Sequence, residues 1–149
     1  MSDTPEPPRR NFYGRIKGKT LRASQKDYLA EDLGPLTLRG VTREDNPSRS
    51  VLDLGFVAGP LWLEVGFGGG EHLAAQARMN PDIGYLGVEP FLNGVAKLLA
   101  AIEADGLENI RLLRGDGRDV LAALPAGSLA RIDLLYPDPW PKRRQRKRR

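Results

Sequence analysis

From Leu61 onward the apolar positions follow two alternating periods. Leu61, Leu63 and Val65 recur at every second position and predict a strand over about 61–66. Glycine then takes over at Gly66, Gly68, Gly69 and Gly70, and a helix is predicted over about 69–79, stopped by Asn80-Pro81. Gly84-Tyr-Leu-Gly-Val88 predicts a second strand. Pro90 suits a first helical turn, after which Leu92, Val95, Ala96, Leu98, Leu99 and Ile102 recur at helical spacing as far as Gly106. Ile110 to Leu113 predicts a third strand, Val120 to Leu124 a short helix, and Ile132 to Tyr136 a fourth strand. Strands alternating with helices imply an α/β fold, a parallel sheet in right-handed βαβ units with helices on both faces.

Upstream the pattern is weaker. Residues 1–10 are polar and proline-rich, a composition that predicts disorder. Asn11 to Arg22 is basic and carries Phe12 and Tyr13. Ser24, with Asp27 three residues on, predicts the N-cap of a helix over Gln25 to Asp32, ended by Gly34-Pro35. Residues 36–60 read as loop, with a short strand near Val51 to Phe56. The resulting organisation is a basic N-terminal tail (1–23), a helix and loop lead-in (24–60), a core (61–141) and a basic run (142–149).

At 149 residues the chain is about one domain. No apolar run reaches the ~20 residues of a membrane span, and the start, Met-Ser-Asp-Thr-Pro-Glu-Pro-Pro, has no apolar core of a secretory signal. There is no cysteine, which excludes disulfides, thiolate-bound zinc and a cysteine nucleophile and fits a cytoplasmic protein. The net charge of +4 is unevenly spread. Residues 1–26 hold seven Lys/Arg against Asp3 and Glu6, and residues 142–149 hold seven and no acid, so the stretch between them is net acidic. An acidic core suits a cationic small ligand, and basic ends suit a polyanion such as RNA. Solvated tails are the alternative. Nothing in the sequence calls for an obligate protein partner or a membrane.

The glycine turn narrows the ligand. Strand, glycine turn and helix together place unpaired N–H groups beside a bound group. A dinucleotide fingerprint G-x-G-x-x-G counted from Gly66 would need glycine where Glu71 stands, and a carboxylate there would face a pyrophosphate. No Gly-Lys-Ser/Thr of a phosphate loop is present. Glu64 at the strand end, with Gly66 and Gly68, instead suits a ligand bearing an ammonium and a small carboxylate. S-adenosylmethionine (SAM) has both. A glycine turn without a ligand is the alternative.

In such sheets ligands bind at the C-terminal strand ends. Each of the four strands ends near a carboxylate: Glu64, Glu89, Asp116 and Asp138. Glu89 is placed to accept from ribose hydroxyls and Asp116 from an adenine amino group, with helix-end roles as the alternative for both. His72, the single histidine, has no second ligand at metal-binding spacing and reads as structural or solvent-facing; no metal is expected. In Tyr136-Pro-Asp-Pro-Trp-Pro-Lys142 three prolines stiffen the backbone around Asp138 and Trp140. A carboxylate such as Asp138 can accept from guanine N1–H and its amino group, Trp140 can stack on a base, and Lys142 can donate to O6 or a phosphate. Core packing of Trp140 is the alternative.

With these motifs in place, the sequence resembles the bacterial tRNA (guanine-N7)-methyltransferases. The resemblance rests on Phe12-Tyr13-Gly14-Arg15, Glu64-Val-Gly-Phe-Gly68, Gly87-Val-Glu-Pro-Phe-Leu-Asn-Gly94, Asn109-Ile-Arg111, Gly115-Asp116 and Tyr136-Pro-Asp-Pro-Trp-Pro-Lys-Arg-Arg144. It implies a Rossmann-like, class I SAM-dependent methyltransferase fold and formation of N7-methylguanine at position 46, in the variable loop of tRNA. Residues matching Glu64, Glu89 and Asp116 bind SAM in that family. Asp138 matches a residue assigned to catalysis and to SAM, Lys142 a substrate-binding lysine, and Arg144, Gln145, Arg146, Lys147, Arg148 and Arg149 a segment that contacts RNA. Family members continue beyond the position of Arg149, so the resemblance also implies a C-terminally truncated form whose later strands are missing and whose fourth strand is an open sheet edge. A non-catalytic RNA-binding fragment with a vestigial SAM site is the second reading.

Overall fold

The computed structural model describes residues 16–48, 50, 52–55, 59–135 and 143–144. The order of elements is α1 (Ala23–Glu31), α2 (Leu33–Leu36), β1 (Leu61–Val65), α3 (Glu71–Met79), β2 (Gly84–Val88), α4 (Leu92–Asp105), β3 (Ile110–Leu113), α5 (Gly117–Ala123) and β4 (Arg131–Leu134). The four strands form one parallel sheet in the order β3-β2-β1-β4. Two βαβ units therefore run outward from β1 in one direction, and the chain then crosses back to place β4 on its other side. This is a Rossmann-like α/β arrangement, and β1 stands at the topological switch point.

The alternation of side chains sorts the core into two layers. Trp62, Tyr85, Ile110 and Leu112 face α3, α4 and α1, where Leu73, Val95, Leu98, Leu99 and Ile102 are buried and Tyr28 and Leu29 pack at the margin. Leu63, Leu86 and Val88 face the other way, onto Val120 of α5 and onto Leu38, Val41 and Leu52. β2 is buried along its whole length, as expected of an interior parallel strand. On the outer strand β4, Ile132 and Leu134 are more than half exposed.

Several local expectations change. Helix α1 starts before Ser24: Arg22 holds the cap position, and its N–H donates to Gln25 Oε1 at 3.0 Å. Gly34-Pro35 does not mark the end of helical structure, because it lies inside α2. In a four-residue helix the first N–H groups have no partner within the helix, so proline costs no hydrogen bond. Residues 52–55 form no strand, and Val51 and Phe56 lie outside the described residues. The added pairing comes earlier: Thr37 bridges Leu112 in parallel, and the Leu38 N–H donates to the Leu112 carbonyl at 2.8 Å. Helix α5 begins at Gly117, before Val120, since Asp116 caps it. β4 closes at Leu134, while Tyr136 lies outside the described residues.

Candidate functional site

The C-terminal end of β1 runs straight into the glycine loop. Gly66 turns at φ +73° and Gly68 at φ +60°, conformations that favour glycine. A β-carbon on either would meet nothing within 4 Å. Glycine is thus demanded there by the backbone and not by crowding, and the space over the loop is open to a ligand. The same loop presses on α4, since a β-carbon on Gly94 would stand 1.9 Å from the Gly68 carbonyl oxygen.

Glu89 braces this contact. Its Oε2 accepts from the Gly68 N–H at 2.7 Å, and its Oε1 accepts from the Phe91 N–H at 3.0 Å. One buried carboxylate thereby joins the glycine loop to the start of α4. Each oxygen keeps a second lone pair for another donor.

Glu64 is buried and shares the sheet face of Trp62. Its Oε2 lies 2.9 Å from Nδ1 of His72, in the first turn of α3. Burial pushes the Glu64 carboxyl above its ordinary pKa; the hydrogen bond and charge of His72 oppose this, and Asp133, opposite Glu64 in the β1–β4 register, adds to it. Asp133 is itself paired with Arg131 at 2.8 Å. His72 was expected to be structural or solvent-facing; it is partly exposed and bound to the carboxylate most central to the site.

Asp116 caps α5: its Oδ1 accepts from the Arg118 N–H at 2.9 Å, and its carboxylate also pairs with the Arg118 guanidinium. The cap role weighed against ligand binding is therefore present, and any adenine contact would share the carboxylate with Arg118. Gly66, Gly68, Glu64 and Glu89 come together around one loop. Asp138, Trp140 and Lys142 lie outside the described residues, as do Phe12 to Arg15 and Gln145, Arg146, Lys147, Arg148 and Arg149. Arg144 is described and exposed.

Two residues escaped the sequence reading. Asn93 pins the segment after the N-terminal tail: its Oδ1 accepts from the Gly18 N–H and its Nδ2 donates to the Lys19 carbonyl, both at 2.8 Å. Gly94 escaped as a packing residue, although an isolated glycine early in a helical pattern was a usable signal. A separate cavity of about 390 Å³ lies between residues 35–55 and Arg111. Arg111 donates there to the Gly55 carbonyl and Asn46 to the carbonyls of Gly40 and Ser50, so its polar side chains serve the loop itself. Among the described residues no cluster of His, Cys, Asp and Glu could hold a metal ion, and no helix is long and apolar enough to cross a membrane.

Known proteins resemble this chain along most of its length. A family model described as "Putative methyltransferase" matches residues 58–149. The chain is 57% identical over 148 residues to a protein of Ruegeria pomeroyi named tRNA (guanine-N(7)-)-methyltransferase, an alignment covering 98% of this chain and 62% of that relative. Proteins of the same name from Cereibacter sphaeroides and Rhodopseudomonas palustris are 58% and 51% identical, with 94% and 93% of this chain and 59% and 52% of their own lengths aligned. The chain thus spans roughly 52–62% of the length of these three curated relatives.

Proposed function

The chain belongs to the methyltransferase family whose model spans residues 58–149, and from that premise we propose that it serves SAM-dependent methylation of tRNA at N7 of guanine, at position 46 in the variable loop. The observation that carries this reading is the 57% identity, over 98% of the chain, to a protein named for that reaction.

The site's chemistry supports it. The open face of the loop at Gly66 and Gly68 leaves room for a ligand, and the α3 N-terminus beside it favours a carboxylate. In this reading Glu64 takes the ligand's ammonium, Glu89 accepts from ribose hydroxyls with its remaining lone pairs, and Asp116 receives the adenine amino group beside Arg118. When bound, SAM would supply a methyl group on sulfonium for transfer to the guanine N7 lone pair, with its thioether as the leaving group. N7 carries no proton at neutral pH, so the chain needs no base to free the nucleophile. Its task is to align two reactants and exclude water. Asp138 and Lys142 are assigned to the guanine, and the run from Arg144 to Arg149 to the RNA backbone.

The test is methyl transfer from labelled SAM to an unmodified tRNA transcript, with N7-methylguanine mapped by chemical cleavage. Signal at the variable-loop guanine is expected from the chain extended by the remaining length of the Ruegeria pomeroyi relative, and its presence or absence in the 149-residue chain alone shows whether these residues suffice. Signal at another nucleotide, or none from the extended chain, overturns the reading. RNA binding that ignores SAM, without transfer, would favour the non-catalytic alternative.

A further inference from the structure

The contact between His72 and Glu64 joins the first turn of α3 to the end of β1 across the mouth of the glycine loop. The Glu64 side chain is only 6% exposed, while that of His72 is 38% exposed. A buried carboxylate without a donor is disfavoured in its charged form. Whenever Glu64 is ionised its carboxylate only accepts hydrogen bonds, and in that state Nδ1 of His72 is the donor. Among the described residues this is the side-chain hydrogen bond Glu64 makes.

The other charged groups nearby do not supply what His72 supplies. Asp133 on β4 faces Glu64 with like charge, and its partner Arg131 is engaged with it. Glu89 at the end of β2 is a third carboxylate, occupied by the N–H groups of Gly68 and Phe91. Glu71, the neighbour of His72 at the start of α3, is paired with Lys97 of α4 beside the glycine loop, so that ammonium is engaged by Glu71. His72 is thus the donor that the fold directs at Glu64.

We propose that His72 is a positioning residue that keeps the Glu64 carboxylate ionised and oriented to receive the ammonium of a cationic amino-acid ligand at the end of β1. The inference rests on the cofactor reading above only in the identity of that ligand. The hold of His72 on Glu64 is a property of the ligand-free chain and is measured without SAM.

The experiment compares the chain with His72→Ala and His72→Asn. The asparagine amide nitrogen is the same number of bonds from Cβ as Nδ1, so it can restore a donor that does not titrate. Carbon-detected NMR of the Glu64 side-chain carboxyl, without ligand, follows its titration in all three. In His72→Ala the midpoint moves up, and in His72→Asn it returns toward that of the unaltered chain. Folding is checked on the same samples by amide dispersion. SAM titration then reads the consequence: on the order of tenfold weaker binding in His72→Ala at neutral pH, with the loss growing toward acid, and substantial recovery in His72→Asn. An unmoved Glu64 midpoint in His72→Ala overturns the proposal whether or not SAM binds. A moved midpoint in a chain that binds no SAM upholds the positioning role and sinks the cofactor reading instead. Normal SAM affinity in His72→Ala at all pH values would show that the contact does not serve the ligand and overturns that half.

Discussion

Gly94 and Gly68 meet backbone to backbone, so closely that a β-carbon on Gly94 would lie 1.9 Å from the Gly68 carbonyl oxygen. The obstructing atom belongs to a loop residue held at φ +60°, not to a side chain that can rotate away. Gly94→Ala must therefore push either the glycine loop or the first turn of α4. We expect a loss of about 1–3 kcal/mol in urea unfolding, typical of overpacking, and more than tenfold weaker SAM binding. Gly115→Ala is the control: its added carbon would meet only the Leu113 side chain, at an ordinary 3.5 Å, and stability in urea should hold. Equal behaviour of the two variants would refute the contact.

Glu89→Gln should damage the same loop by a different route. The carboxylate accepts from two N–H groups at once, Gly68 and Phe91. Glutamine offers one oxygen and one amide nitrogen, so one of those N–H groups would confront a donor. The expected destabilisation is about 1–3 kcal/mol, the cost of a buried polar group left unsatisfied. Amide hydrogen exchange should locate the loss at Gly68 or Phe91. Unaltered protection at both would mean that Glu89 does not brace the loop.

The sequence made the frame legible where one periodicity decided the matter. Leu61, Leu63 and Val65 alternate, Leu92 to Ile102 repeat at helical spacing, and both elements appear where those periods put them. The Thr37 bridge to Leu112 was not legible, because it depends on which distant strand edge is open and not on any pattern near Thr37. His72 carried no local mark of its role, since what gives it one is the loop that folds α3 back beside β1. Of the two roles the sequence offers for Asp116, the cap is the one the structure shows, as caps are local. Asn93 was invisible for the same reason as Thr37: its partners, Gly18 and Lys19, lie more than seventy positions away in sequence.

Asn93→Ala should free the segment it pins while sparing the core. The side chain holds Gly18 and Lys19, and beside it the Leu92 N–H donates to the Ile16 carbonyl at 2.9 Å. Residues 16–20 are exposed, so little apolar burial opposes their release. Trypsin should cut at Lys17 and Lys19 several-fold faster, with global stability changed by less than about 1 kcal/mol. Asn93→Asp keeps the acceptor for Gly18 and should be intermediate. Unchanged cleavage would assign the anchoring to another contact.

The basic run at 142–149 gives a prediction in salt. Its seven Lys/Arg would displace counterions from RNA if they touch phosphates. Deleting the run should weaken tRNA binding and make the plot of log affinity against log salt shallower. An unchanged slope would identify it as a solvated tail.

Glu64→Gln should separate stability from ligand binding. Burial raises the Glu64 pKa in the folded chain above its unfolded value. Between the unfolded pKa and that raised value the folded state binds more protons than the unfolded state, so the contribution of Glu64 to stability falls as pH rises through this window. Above it, the chain carries the full cost of a buried charge, reduced by His72 and increased by Asp133. Glutamine removes that cost while keeping an oxygen to accept from His72. Urea unfolding should therefore find Glu64→Gln no less stable than the unaltered chain at neutral pH, with its advantage shrinking as pH is lowered through the window. SAM affinity should fall at least tenfold in the same variant, because the amide cannot balance an ammonium. A variant that lost stability at neutral pH and kept SAM affinity would show that the Glu64 charge supports the fold instead of the ligand.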